Sequence, residues 1–183
     1  MNPLDIIKRY YEEDSKAYDI LVAHDTCVAK KSLEVADRVP HLNPDKKFIY
    51  EAAMLHDIGI FLTHAPGIGC YGRYPYICHG YLGGEILAKE GLDKHALVSE
   101  RHIGTGLSAN DIVRQNLPLP RRDMEPVSIE EIIVCFSDKF YSKDESRLYE
   151  EKSVNSIIAG LEKHDTKKAD KFRKWLRLFN YQK

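Results

Sequence analysis

The sequence predicts an all-α fold, and three observations carry that prediction. Apolar residues recur every third or fourth position over most of the 183 residues. Helix start and stop signals punctuate the chain at helix-length intervals. No run alternates apolar and polar residues as a half-buried strand would.

The elements follow in order. The first helix is expected from about Asn2 to Glu13, with Pro3 in its first turn. The second covers Ala17 to about Val39, where Ile20, Leu21, Cys27, Val28, Val35 and Val39 keep the helical period and Pro40 ends it. Asn43-Pro44 reads as N-cap and first helical residue of a third helix, to about Asp57, with Gly59 as its stop. Thr63 to Gly80 is rich in Gly and Pro and reads as a loop, long enough to form a functional wall or lid. A fourth helix reaches about Glu90 before Gly91, and Asp93 caps a fifth that ends near His102. Ser108 to Asp111 is a possible capping box for a short sixth helix to Asn116. Ser128 to Glu131 is a better one, and opens the helix that carries IIVCFSDKFYS. Two more helices are expected over Glu145–Leu161 and Lys167–Phe179. The last is basic, through Lys167, Lys168, Lys171, Arg173, Lys174 and Arg177. It reads as a solvated face whose apolar stripe docks on the core.

Composition bounds the function. Hydrophobic residues make up 43% and charged residues 30% of the chain, the mix of an ordinary globular protein, and the length suits one domain, 1–183. Collagen-like, low-complexity and wholly disordered readings are excluded. With 27 basic and 28 acidic groups the net charge is −1, so a nucleic-acid partner is not expected. The scattered cysteines, Cys27, Cys70, Cys78 and Cys135, form no disulfide framework. The N-terminus lacks the apolar core of a signal peptide, and no apolar run nears the ~20 residues of a membrane span. A cytoplasmic protein without membrane contact is expected. No heptad pattern points to a particular assembly.

The chemistry lies in histidines and aspartates. His56-Asp57-Ile58-Gly59 stands where an apolar helix runs into a glycine stop, so neighbouring side chains there can splay toward one point. His24 lies in an upstream helix, His79 opens the helix after the long loop, and His102 precedes Gly104. Asp138 follows the apolar run Ile132–Phe136, and a buried carboxylate needs a counter-charge or a metal. Imidazoles and carboxylates from separate helices are how helical proteins build metal sites. Asp25 reads as a surface carboxylate beside His24, the alternative being a group that orients a ligand histidine. His41, His95 and His164 read as surface residues.

The ordered set His24, His56-Asp57, His79, His102 and Asp138, with HDIG at 56–59, resembles the HD superfamily of metal-dependent phosphohydrolases. The resemblance covers about residues 18–142, with the helices of 145–180 packed on that part. The two histidines between the dyad and the last aspartate are similar to its dinuclear branch, which includes bacterial symmetrical diadenosine tetraphosphate hydrolases. ERHIGTGLSANDI, the LPLP loop and IEEIIVCFSDKF are also similar to a small uncharacterised group of HDIG proteins in bacteria and archaea. Two departures stand out: Ile60 follows HDIG where many such proteins have Lys, and no GYP follows.

The resemblance implies a helical bundle with a metal site in its core. His24, His56, Asp57 and Asp138 would hold one divalent ion and Asp57, His79 and His102 a second, with Asp57 as the bridge. Iron or manganese is favoured, and zinc, nickel or cobalt would also suit the donors. A bridging hydroxide would attack phosphorus in a small phosphorylated substrate, a nucleotide favoured. His64 is a candidate proton donor. Arg73, Arg101 and Lys139 are candidate substrate contacts. The tyrosines around the long loop, Tyr71, Tyr74, Tyr76 and Tyr81, are ones on which a base could stack. The alternatives are a di-iron oxygenase with the same ligands and a non-catalytic metal-binding module.

Overall fold

The computed structural model describes residues 1–181. The fold is all-α, as expected, with one two-stranded hairpin added. The helices are α1 (Pro3–Ile7), α2 (Lys16–Arg38), α3 (Lys46–Ala53), α4 (His79–Lys89), α5 (Asp93–Arg101), α6 (Ala109–Arg114), α7 (Ile129–Asp138), α8 (Val154–His164) and α9 (Thr166–Leu178). The strands β1 (His64–Ala65) and β2 (Cys70–Tyr71) pair antiparallel, with His64 opposite Tyr71.

Caps fix most starts. Ser15 accepts from Tyr18 N at the head of α2, and Ser128 accepts from Glu131 N at the head of α7. Ser108 and Asp111 form a reciprocal capping box on α6. The sequence misplaces several boundaries. Asn43 does not cap α3: it adopts a left-handed conformation (φ 50°) that closes a 3₁₀ turn, and Asp45 caps the helix instead. That helix ends at Ala53, so His56 and Asp57 lie on a run of tight turns beyond it. The stretch after Glu145 forms only a 3₁₀ turn, because Ser153 supplies the next cap and α8 starts at Val154. Asp93 is the first residue of α5, not its cap.

The long helix α2 is the spine. Its buried face (Val28, Ala29, Val35, Ala36) meets α3 and α7. Phe136 of α7 is fully buried, with its ring 4.9 Å from Phe172 and 5.0 Å from Phe179. These rings dock α9, whose buried side is Ala169, Phe172 and Trp175. Part of its basic side is paired within the protein, Lys168 with Asp111 and Lys171 with Glu125. A second core cluster (Ile7, Leu21, Leu55, Ile58, Leu87) joins α1, the first turns of α2, the 54–60 turns and α4. No helix among the described residues is long and apolar enough to cross a membrane.

Candidate functional site

Glycines bring the site together. A Cβ on Gly59 would stand 2.3 Å from the His79 carbonyl oxygen and 2.5 Å from Gly83 N. Gly83 is as tight on its other side, where a Cβ would lie 2.4 Å from Ser99 Oγ. Three ligand-bearing segments therefore meet at backbone distance. The buried Ser99 hydroxyl donates to the His56 carbonyl at 2.7 Å and also lies 3.1 Å from the Gly80 carbonyl.

All six residues singled out as ligands converge. Around Asp57 Oδ2 lie His56 Nε2 at 3.0 Å and His24 Nε2 at 3.4 Å. Asp138 Oδ1 joins this side, 3.1 Å from His24 Nε2. Around Asp57 Oδ1 lie His79 Nε2 at 3.1 Å and His102 Nε2 at 3.4 Å. Two overlapping groups result, His24-His56-Asp57-Asp138 and Asp57-His79-His102, each able to hold a metal ion. Three imidazoles are oriented from behind. The Nδ1–H groups of His56, His79 and His102 donate to the carbonyls of Ala53, Tyr76 and Ser99 at 2.7, 2.6 and 2.6 Å, which turns Nε2 inward. His56 Nε2 and both Asp57 oxygens are buried without a well-aligned hydrogen bond and face one another and the Lys143 ammonium at ion-pair distance.

Burial pushes His24 down, with Lys143 adding to the effect, and it pushes His102 down as well; both reach about 4 and are neutral imidazoles. Burial would raise Asp57 and Asp138. The charges of His56 and Lys143 outweigh it for Asp57, and Lys139 with the histidines outweighs it for Asp138, so both stay well below the usual carboxylate range.

Four of the six, His24, His79, His102 and Asp138, line a cavity of about 930 Å³. One wall is the hairpin turn, Ala65 to Ile68. Another is the segment after α7, with Lys139, Tyr141, Lys143 and Lys152. Lys139 does reach the site: its ammonium pairs with Asp138 Oδ2 at 2.6 Å and donates to the His102 carbonyl at 3.2 Å. Arg101 does not, because its guanidinium pairs with Glu131 at 2.9 Å. His64 is exposed on β1, and neither it nor Arg73 lines the cavity. Asp25 is fully buried, not a surface group, with Oδ1 3.6 Å from His56 Nδ1 and its pKa raised by burial. His95 is not free at the surface either, lying 3.5 Å from Glu51.

Sequence reasoning missed Lys143, whose ammonium touches Asp57 Oδ2. It lies in a polar stretch outside any helix, so no periodicity aims it inward. Tyr76, singled out for its ring, lines the cavity and also orients His79 through its carbonyl.

No family model matches the chain, and no solved structure matches it. Two curated relatives are named tRNA (cytidine(56)-2'-O)-methyltransferase. The protein of Picrophilus torridus is 31% identical over 153 residues, covering 79% of this chain and 40% of the relative. That of Thermoplasma volcanium is 30% identical over 160 residues, covering 87% of this chain and 41% of the relative. The chain thus spans about two fifths of either protein. A third relative, the uncharacterized protein MJ0778 of Methanocaldococcus jannaschii, is 33% identical over 138 residues, covering 74% of this chain and 70% of that protein.

These relatives correct the functional expectations. The assignment to HD-domain phosphohydrolases is overturned, since the relatives with a named activity are methyltransferases, not hydrolases. With it fall the bridging-hydroxide attack on a small phosphorylated substrate and the pair of divalent metal ions as cofactors of that reaction. The oxygenase and non-catalytic alternatives gain no support. The expectation against nucleic acid is overturned too, because the named activity acts on tRNA. The physical reason is shared. A convergent set of imidazoles and carboxylates fixes what can be bound, but not which bond is made or broken. A net charge near zero argues only against recognition dominated by phosphates. By sequence, the chain belongs to the family of the Methanocaldococcus jannaschii protein MJ0778.

Proposed function

We propose that this chain acts in the 2′-O-methylation of tRNA, as one part of a larger methyltransferase. The observation that carries the reading is the alignment of most of the chain with both named relatives. Because the chain spans only part of them, the proposal concerns a contribution to the reaction, not the whole of it. The methyl donor of such a reaction, S-adenosylmethionine, carries a sulfonium cation. The cavity does not suit that group: the donor atoms beside it lie within 4.8 Å of one another and converge on a single-atom cation, whereas a sulfonium carries three carbon substituents.

His24, His56, Asp57, His79, His102 and Asp138 are proposed as a cation-binding site at the cavity floor. Support comes from the convergence of their donor atoms in two groups that share Asp57. A cation held there would make a hydroxyl lying against it more acidic. The imidazoles of His24 and His102, kept neutral by burial, are free to act as ligands or proton acceptors. A cytoplasmic location fits work on tRNA, and fits the four cysteines, which are all free thiols.

The test is genetic and chemical. Bulk tRNA from a host lacking this chain is digested to nucleosides, and 2′-O-methylcytidine is measured by mass spectrometry. The expected result is a clear fall that the wild-type chain reverses. An unchanged level refutes the proposal.

A further inference from the structure

We infer that the β1–β2 hairpin is an RNA-contact platform, on which Tyr71 stacks an unpaired base while Arg73 meets the adjoining phosphate. The inference rests on the tRNA reading above and names the part of the surface that would touch the RNA.

The hairpin is held rigidly. Gly72 N donates to the Thr63 carbonyl at 2.9 Å, and His64 N donates to the Tyr74 carbonyl at 2.7 Å. Gly72 permits this approach, since a Cβ there would lie 2.1 Å from Leu62 backbone atoms. Thr63 is fully buried, with its hydroxyl on the Ile60 carbonyl at 2.7 Å. On this fixed base Tyr71 is 76% exposed. His64 is its cross-strand partner, so an exposed imidazole shares the face of the phenol ring. Arg73 is exposed two residues on. Its guanidinium lies 4.9 Å from the Tyr74 ring centroid, and its Nη2 donates to the Tyr74 hydroxyl at 2.8 Å. Among the described residues it has no carboxylate partner, so its charge is available.

Exposed apolar residues scattered singly are ordinary. Here a rigidly mounted tyrosine, an imidazole and an unpaired, stacked guanidinium lie on one short hairpin. Proteins that bind unpaired nucleotides use this combination, with bases stacking on aromatic or guanidinium planes. Such recognition does not need a strongly basic chain, which fits the net charge of −1. The same hairpin supplies the Ala65–Ile68 wall of the cavity, so nucleotides on the platform would lie next to the cavity mouth.

Fluorescence anisotropy of the full chain tests this with three probes: an unmodified tRNA transcript, a stem with a seven-nucleotide loop, and the same stem fully paired. We expect the loop to bind about 10-fold tighter than the duplex, and Tyr71→Ala to weaken loop binding about 10-fold while Tyr71→Phe does not. Arg73→Ala should also lower the slope of log affinity against log salt by about one, whereas Tyr71→Ala should leave that slope unchanged. Tyr149→Ala is the control, because Tyr149 is 74% exposed but lies outside the hairpin. If Tyr71→Ala binds the loop as well as Tyr149→Ala does, the platform is refuted while the tRNA reading stands. If the wild-type chain binds no tRNA, the platform and direct tRNA contact fail together. Self-association lost in Tyr71→Ala, with RNA binding unchanged, would reassign the face to a second copy of the chain and also refute the inference.

Discussion

Gly59 gives the sharpest test of how the site is assembled. Its backbone is ordinary for any residue (φ −83°, ψ −2°), so alanine there carries no conformational strain. What alanine lacks is room. The new methyl would stand 2.3 Å from the His79 carbonyl oxygen, where normal contact begins near 3.4 Å. The obstructing atoms are backbone, so no side chain can rotate away. The turn carrying His56 and Asp57 must then move about 1 Å from the head of α4, and overpacking of this kind costs about 1–3 kcal/mol or somewhat more. The same shift would part Asp57 from His79 Nε2, now 3.1 Å apart. Urea denaturation of Gly59→Ala should give a loss of about 3 kcal/mol with an unchanged slope. Gly160→Ala is the internal contrast. No atom lies within 4 Å of its added Cβ, and Gly160 sits inside α8. That change should stabilise by about 0.5–1 kcal/mol. Stability of Gly59→Ala within about 0.5 kcal/mol of wild type would refute the claim that close approach, not conformation, puts glycine at this position.

Three other outcomes follow from the structure. Phe136→Ala removes the ring on which α9 docks, and should cost about 3–5 kcal/mol in denaturant melts; a loss under about 1 kcal/mol would mean α9 is held elsewhere. Lys143→Met leaves the buried Asp57 with histidine partners only and should lower stability by about 3 kcal/mol near neutral pH, a result that Lys143→Arg should largely avoid. Asp111 is pulled down to about 2: burial opposes the shift, but Lys168 and the Ser108 cap outweigh it. Its contribution is therefore complete above the ordinary carboxylate value of about 4 and is lost as pH falls through about 2. In acid melts Asp111→Asn should accordingly be less stable than wild type near neutrality, and the gap should close below pH ~2.5; a constant gap would contradict the assignment.

Much of the molecule was legible beforehand because its signals are local. Ser108 with Asp111 and Ser128 with Glu131 announce helix starts that the structure keeps. The period of α2 gives its buried face without further information. The six converging side chains could be picked out because His56-Asp57 precedes a glycine stop, His79 and His102 flank helix ends, and His24 and Asp138 follow apolar residues that make a polar group conspicuous. The hairpin was not legible. Its strands are two residues each, too short for alternation, and they are fixed by backbone hydrogen bonds that side-chain identity does not encode. Lys143 was missed and Asp25 misjudged because their burial depends on which distant segment covers them. The reaction was misjudged for a different reason, as donor groups describe a site's appetite for ligands but not the use the site is put to.

The lysines beside the cluster bear on the order of events in the life of the chain. Asp57 and Asp138 each already face an ammonium, from Lys143 and Lys139. Their buried negative charge is therefore answered from within as soon as the polypeptide closes on itself. Domains that rely on a captured ion for that service stay open until the ion arrives, and unravel when a chelator takes it away. Here a chelator should leave the melting temperature unchanged, and a fall of several degrees would show that the ammoniums do not suffice.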